Sequence, residues 1–136
     1  ASGEVADRLG IKEGDRVIYL FRIGCGDNHP VATEKIFLPY EKCSFVMDYD
    51  FEKISVYDAL KKYEETQINS VTHSLQAVNA DIYDVEYLQI NKGVPIQLVH
   101  TVGYTRSDQP VEYSIARYRG DVSDFQVTVY MQPEIV

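Results

Sequence analysis

The sequence predicts an α+β domain built on a mainly antiparallel sheet. Long runs rich in β-branched and aromatic residues lie at 16–24, 31–38, 68–80, 95–106, 111–119 and 124–131. Turn signals separate neighbouring runs, the clearest being Gly26-Asp27-Asn28-His29-Pro30 and Ser107-Asp108-Gln109-Pro110. Helical spacing occurs only in short insertions, not in regular alternation with strands, which argues against a parallel βαβ arrangement.

Taken in order, Val5, Ala6 and Leu9 predict a short first helix that Gly10 ends, and Gly14-Asp15 turns the chain. Residues 16–24 read as a strand apolar on both faces except at Arg22. Residues 31–38 read as its hairpin partner across a slightly long loop, and Pro39 ends that strand. Residues 40–54 show no period and are expected to be irregular. Ser55-Val56-Tyr57-Asp58 resembles a capping box, and Val56, Ala59, Leu60 and Tyr63 form the apolar stripe of a helix. A long strand is expected over 68–80. Asp81 caps a second short helix running to about Leu88, which Asn91-Lys92-Gly93 closes. Three strands finish the chain. In the first, Ile96, Leu98, His100, Val102 and Tyr104 share a face; the second spans 111–119; Gly120-Asp121 breaks the chain before the third, 124–131.

The chain has 136 residues and is read as one domain, 1–136. It carries 13 Lys plus Arg against 21 Asp plus Glu, a net charge of -8, which sets nucleic acid and anionic membrane aside as direct partners. No apolar run approaches the ~18 to 20 residues of a membrane span. Ala1-Ser2-Gly3-Glu4 lacks the basic and apolar segments of a signal peptide, and Ala1 is not an initiator, so the chain is expected to belong to a longer, cytoplasmic protein. Cys25 and Cys43 form no CxxC and are expected to be free thiols. Eleven tyrosines and no tryptophan suit strands and polar ligand pockets.

Enzyme signatures such as GxSxG, HExxH, Walker and GxGxxG motifs are missing. His29, His73 and His100 share no metal-like spacing, so no metal site is expected. His29 falls in a turn. His73 and His100 lie in strands where they could face each other, with a hydrogen-bonded core role favoured. More informative are charged residues inside apolar strands, since a buried unpaired charge costs several kcal/mol. These are Arg22, Glu34 and Glu112. Glu112, Ser114, Ala116 and Tyr118 share one strand face, and Arg117 and Arg119 the other, wetter one. Arg22, Glu34, Glu112 and Tyr118 could thus meet around one cavity. Two plainer readings compete: Arg22 bridges a glutamate structurally, or the glutamates face water. Ser55 is either a plain N-cap or an anion contact, and Tyr57 lies off its helix's apolar stripe.

The order of motifs over nearly the whole chain resembles the UTRA domain, the effector-binding half of HutC-type regulators of the GntR superfamily. The matching segments are Leu9-Gly10-Ile11 with Gly14-Asp15, Val17 to Arg22, Asp27 to Pro30, and Glu34 with Leu38-Pro39. Ser55-Val56-Tyr57-Asp58-Ala59-Leu60 follows, then Gly93-Val94-Pro95-Ile96, Tyr104, Pro110-Val111-Glu112-Tyr113-Ser114, and Tyr118-Arg119-Gly120-Asp121 with Phe125. The resemblance implies a chorismate-lyase-like fold, a homodimer, and a winged-helix DNA-binding domain N-terminal to this segment and absent from it. It implies no cofactor and no catalysis. It implies an effector pocket of Arg22, Glu34, Ser55, Tyr57, Glu112 and Tyr118. Members that bind phosphosugars often place a second arginine two residues after the first, where this chain has Gly24. The expected function is effector sensing in a bacterial repressor, the effector being a sugar, phosphosugar, amino acid or organic acid. The alternatives are a lyase removing an enolpyruvyl group from an aromatic ether and a purely structural dimerisation domain.

Overall fold

In the computed structural model, which describes residues 1–128 and 131, Ser2 and Gly10 bracket the first element. Ser2 caps helix α1 (Gly3–Leu9) by accepting from the Val5 amide, and Gly10 closes it in the left-handed region at φ 65°. Strands β1 (Val17–Gly26) and β2 (His29–Pro39) form a hairpin. Helix α2 (Tyr40–Cys43), a 3₁₀ turn (Ser44–Asp48) and helix α3 (Val56–Leu60) follow. Strand β3 (Ser70–Asn79), helix α4 (Ile82–Leu88), β4 (Pro95–Tyr104) and β5 (Pro110–Arg119) complete the described elements. The sheet order is β1-β2-β5-β4-β3, and every neighbouring pair is antiparallel. The expected α+β class with an antiparallel sheet is what the chain forms.

Strand alternation divides the core between the two faces of the sheet. On one face Ile18, Ile36 and Leu38 pack with Cys43, Val46, Val56, Ala59 and Leu60 from the α2–α3 segment. On the other, Val5 and Leu9 of α1 pack on Val102 and Tyr113. Leu88 of α4 packs on Ile96 with Ala80 and Ile90. The same alternation, carried four strands across, puts the odd-numbered residues of β3 and β4 on the α3 side.

Four expectations are corrected. The first loop is a tight two-residue turn: Asp27 and Asn28 both take positive φ (51° and 65°), the twist a two-residue hairpin requires, and Asn and Asp tolerate it. The extra residue is absorbed at a bulge beside Gly24 and Cys25 instead. Residues 40–48 are helical turns rather than irregular, because Cys43 and Val46 are drawn into the core. The α3 helix stops at Leu60, so Tyr63 lies beyond it, edge-on to Phe45. No strand forms over 123–128 or at Met131, and positions 129 and 130 of the expected last strand lie outside the described residues.

A fifth correction concerns the face expected to be wetter. Arg117 is not free there. Its Nε and Nη2 donate to the two carboxylate oxygens of Asp84 on α4, both at 2.8 Å, and Asp84 is only 1% exposed. Arg119 does pair with Asp121 at 2.8 Å in the exposed turn. The two cysteines are free, Cys25 exposed and Cys43 buried.

Candidate functional site

The sheet face beneath α3 is not filled. A cavity of about 780 Å³ lies between the sheet, the N-terminal end of α3 and the segment Phe125–Val127. All six of Arg22, Glu34, Ser55, Tyr57, Glu112 and Tyr118 line it. Strand register explains how. Arg22 of β1 stands opposite Glu34 of β2, Glu34 opposite Ala116 of β5, and Ala116 opposite Val99 of β4. Leu75 of edge strand β3 stands opposite Val99. One row of side chains therefore crosses the whole sheet, charged at the β1–β2 end and apolar at the β4–β3 end.

Glu112 is the most deeply placed polar group, 2% exposed. Room for it comes from Gly103, its register neighbour on β4 at a bulge. A Cβ at that glycine would lie 2.9 Å from Glu112 Oε2 and 2.7 Å from Ile68 Cδ1. The Tyr57 hydroxyl donates to Glu112 Oε2 at 3.1 Å, so the residue off the α3 stripe does turn into the cavity. Burial pushes the Glu112 carboxyl up to about 7; the Ser114 and Tyr57 hydroxyls pull it down, and the charge of Glu34 adds to the rise. Burial and the charge of Glu112 likewise push the Tyr57 hydroxyl up. Burial and Glu34 raise that of Tyr118.

Arg22 is exposed rather than buried, because β1 is a sheet edge and the side chain stands at the cavity rim. Among the described residues it makes no ion pair, although Glu34 is its register partner. The structural-bridge reading is thus not what forms, and Glu34, half-buried, does not simply face water. Ser55 caps α3, its Oγ accepting from the Asp58 amide at 3.1 Å, and it also lines the cavity. Phe125 stands edge-on to Tyr118, with ring centroids 5.4 Å apart.

Sequence reasoning missed the β3–β4 half of this site. His73, Leu75, Val99 and Thr101 line it, and Nδ1 of His73 lies 2.8 Å from the Thr101 hydroxyl. The signal was available: residues 97–103 alternate, and the face opposite Ile96, Leu98 and His100 had to cover something. His73 and His100 do not face each other. Register pairs His73 with Thr101 and His100 with Ser74, so the rings lie on opposite faces, with His100 edge-on to Tyr113. No group of three or more metal-ligating side chains is gathered among the described residues.

Comparison with known proteins places this arrangement. The chain is 29% identical over 125 residues to the HTH-type transcriptional regulator GgaR of Escherichia coli, covering 90% of this chain and 48% of GgaR. It is 25% identical over 118 residues to the HTH-type transcriptional repressor NagR of Bacillus subtilis, covering 87% of this chain and 48% of NagR. The chain thus spans about half the length of these curated relatives. Among solved structures, a GntR-family transcriptional regulator from Enterococcus faecalis superposes with a TM-score of 0.84 at 27% identity, over 95% of this chain and 92% of that one. The effector domain of PhnF from Mycobacterium smegmatis shares the fold, with a TM-score of 0.87 at 21% identity, over 96% of this chain and 80% of that one. The UTRA domain family model matches residues 1–123, which hold the whole sheet and every cavity-lining residue except Phe125–Val127, and the chain belongs to the UTRA domain family.

Proposed function

We propose that this chain is the effector-sensing and dimerisation domain of a bacterial GntR-type transcriptional repressor, with DNA contacted by a separate N-terminal domain. The observation that carries the reading is the cavity itself: six residues from four separate elements converge on it, and its deepest group is a carboxylate with no cationic partner among the described residues. The net charge of -8 fits a domain that leaves DNA to another part of the protein. No helix among the described residues is long and apolar enough to cross a membrane, and a DNA regulator works in the cytoplasm.

The mechanism follows from where the cavity ends. Arg22 holds an anionic or polar group of the effector, Glu34 and Glu112 accept from its donors, and Tyr57 and Tyr118 supply ring faces and hydroxyls. The far wall is β3, an edge strand whose ten residues, Ser70–Asn79, include no proline and no Asp, Glu, Lys or Arg. Val71 and Leu75 are 39% and 50% exposed on it. An uncharged edge of this length is a template for strand pairing, and we read it as the surface that pairs with a second copy. An effector against His73 and Leu75 then touches the strand that sets the geometry of the dimer, and its differential affinity for the two dimer states shifts the DNA-binding domains.

Gly24 bears on the effector class. Its absent side chain would meet only Ala32, at 3.9 Å or beyond, so sterics do not exclude a second arginine there. Arg22 is the sole arginine or lysine lining the cavity among the described residues, a thin donor set for a phosphate.

Two measurements test the reading. Arg22→Ala is expected to leave the melting temperature of the free domain within the roughly 0.5 kcal/mol of a surface change, and to abolish stabilisation by whichever sugar, amino acid or organic acid a thermal-shift screen finds. Loss of folding in that variant would restore a structural role for Arg22. Sedimentation is expected to show a dimer; a monomer independent of concentration overturns the pairing.

A further inference from the structure

The charges lining the cavity are unbalanced. Two carboxylates, Glu34 and Glu112, face one guanidinium, Arg22, and that guanidinium stands at the rim. Register separates the carboxylates: Glu34 stands opposite Ala116, four residues along β5 from Glu112, or about 13 Å of strand. They flank a gap that long side chains can span only from both ends. The other groups facing Glu112 are the hydroxyls of Tyr57 from α3 and Ser114 from β5, the Tyr118 hydroxyl further along β5, and the imidazole of His73 from β3. None of these is a fixed cation.

We infer that the effector carries a protonated nitrogen that docks between Glu34 and Glu112, with its polar or anionic end toward Arg22. The inference rests on the effector-site reading above. A buried carboxylate without a counter-ion is unfavourable, and the free domain relieves this by holding a proton on Glu112 around neutral pH. A ligand cation supplies the missing charge, so it binds the ionised carboxylate and the proton leaves to solvent. A phosphate dianion would instead enter a cavity with two carboxylates and a single guanidinium. A hydroxyl donates equally well to either carboxylate but leaves the charge unbalanced.

The consequence is a proton-linked affinity. With half-ionisation near pH 7, the ionised fraction of Glu112 rises from about one-tenth at pH 6 to about nine-tenths at pH 8, so affinity for such a ligand rises about tenfold. Matched probes isolate the effect: glucose, 6-amino-6-deoxyglucose and glucose 6-phosphate on one scaffold, and 6-aminohexanoate against its N-acetyl form on another. Thermal shift and calorimetry on the domain are expected to favour the amine of each set. They should also show the tenfold rise from pH 6 to pH 8, and release of about half a proton per site at pH 7 in buffers of differing ionisation enthalpy. Glu112→Gln should remove both the rise and the release, and Glu34→Gln should weaken the amine and, with the Glu34 charge gone, reduce the release without abolishing it. Uncharged or phosphorylated twins binding as well as the amines, or tighter binding at low pH, would overturn the inference while leaving the effector site standing. No stabilisation by any sugar, phosphosugar, amino acid or organic acid would overturn both.

Discussion

Asp84→Ala is expected to cost on the order of 3–5 kcal/mol of stability, more than any surface change in this chain. The carboxylate is spent several times over. It accepts two hydrogen bonds from the Arg117 guanidinium at 2.8 Å, and one from the Asp81 amide at 2.9 Å. Asp81 returns the favour by accepting from the Asp84 amide at 2.9 Å, which completes the capping box of α4. Alanine removes half of that box and leaves Arg117 partly buried beside only the more distant Asp81, at 3.6 Å. Because Arg117 sits on β5 and Asp84 on α4, the loss loosens the helix that covers this face of the sheet.

The pH signature separates this pair from ordinary surface charges. Burial works to raise the Asp84 carboxyl, but the hydrogen bonds and charge of Arg117, with the Asp81 amide, outweigh it and hold the group below its usual 3.8. A depressed carboxylate contributes stability that is fully present above its unfolded value and is lost as pH falls through the folded one. The wild-type domain should therefore lose this contribution below about pH 4, and Asp84→Ala should lack that part of the acid transition. Chemical denaturation at pH 7 and pH 3 reads both effects. Equal stability of the two proteins at pH 7 would mean the pair is neutral and α4 is held by Leu88 alone.

The fold was legible wherever a local signal matched its tertiary setting. Gly10, Ser55 and Asp81 marked helix ends by capping chemistry that needs no distant partner, and each does that job. The strands were legible because their alternation is long. What local patterns could not supply was strand order. The sequence shows that 68–80 and 16–24 are strands but not that both are edges, so Arg22 reads as buried when it stands at a rim. Nor does it show what lies on the far side of β5, where Arg117 looks solvated until α4 brings Asp84 across it. The site divided along the same line. Arg22, Glu34 and Glu112 drew attention as charges in apolar runs, and Tyr57 as a residue off its stripe. Val99, Thr101 and Leu75 are ordinary strand residues, and only register reveals that they face the same cavity.

Glu112→Gln is expected to act in the opposite sense to the Asp84 change and to stabilise the free domain at alkaline pH. The folded carboxyl lies near 7 against an unfolded value of 4.5. Between those values the folded state holds a proton that the unfolded state has released, so stability falls as pH rises through the window and is lowest above it. A rise of that size corresponds to about 3 kcal/mol once the group is fully ionised. Glutamine is nearly isosteric, keeps an acceptor for the Tyr57 hydroxyl and carries no charge. At pH 8 it should recover most of that free energy, raising the melting temperature by roughly 10 °C for a domain of this size. At pH 4, where the carboxyl is mostly protonated in both the folded and the unfolded state, the two proteins should melt together. An identical difference at both pH values would show that the carboxyl is not held protonated by its surroundings. The expected result also bears on why the residue is acidic at all. A side chain whose neutral isostere is more stable is not there for the fold, and the place where the chain sacrifices stability is the floor of its cavity.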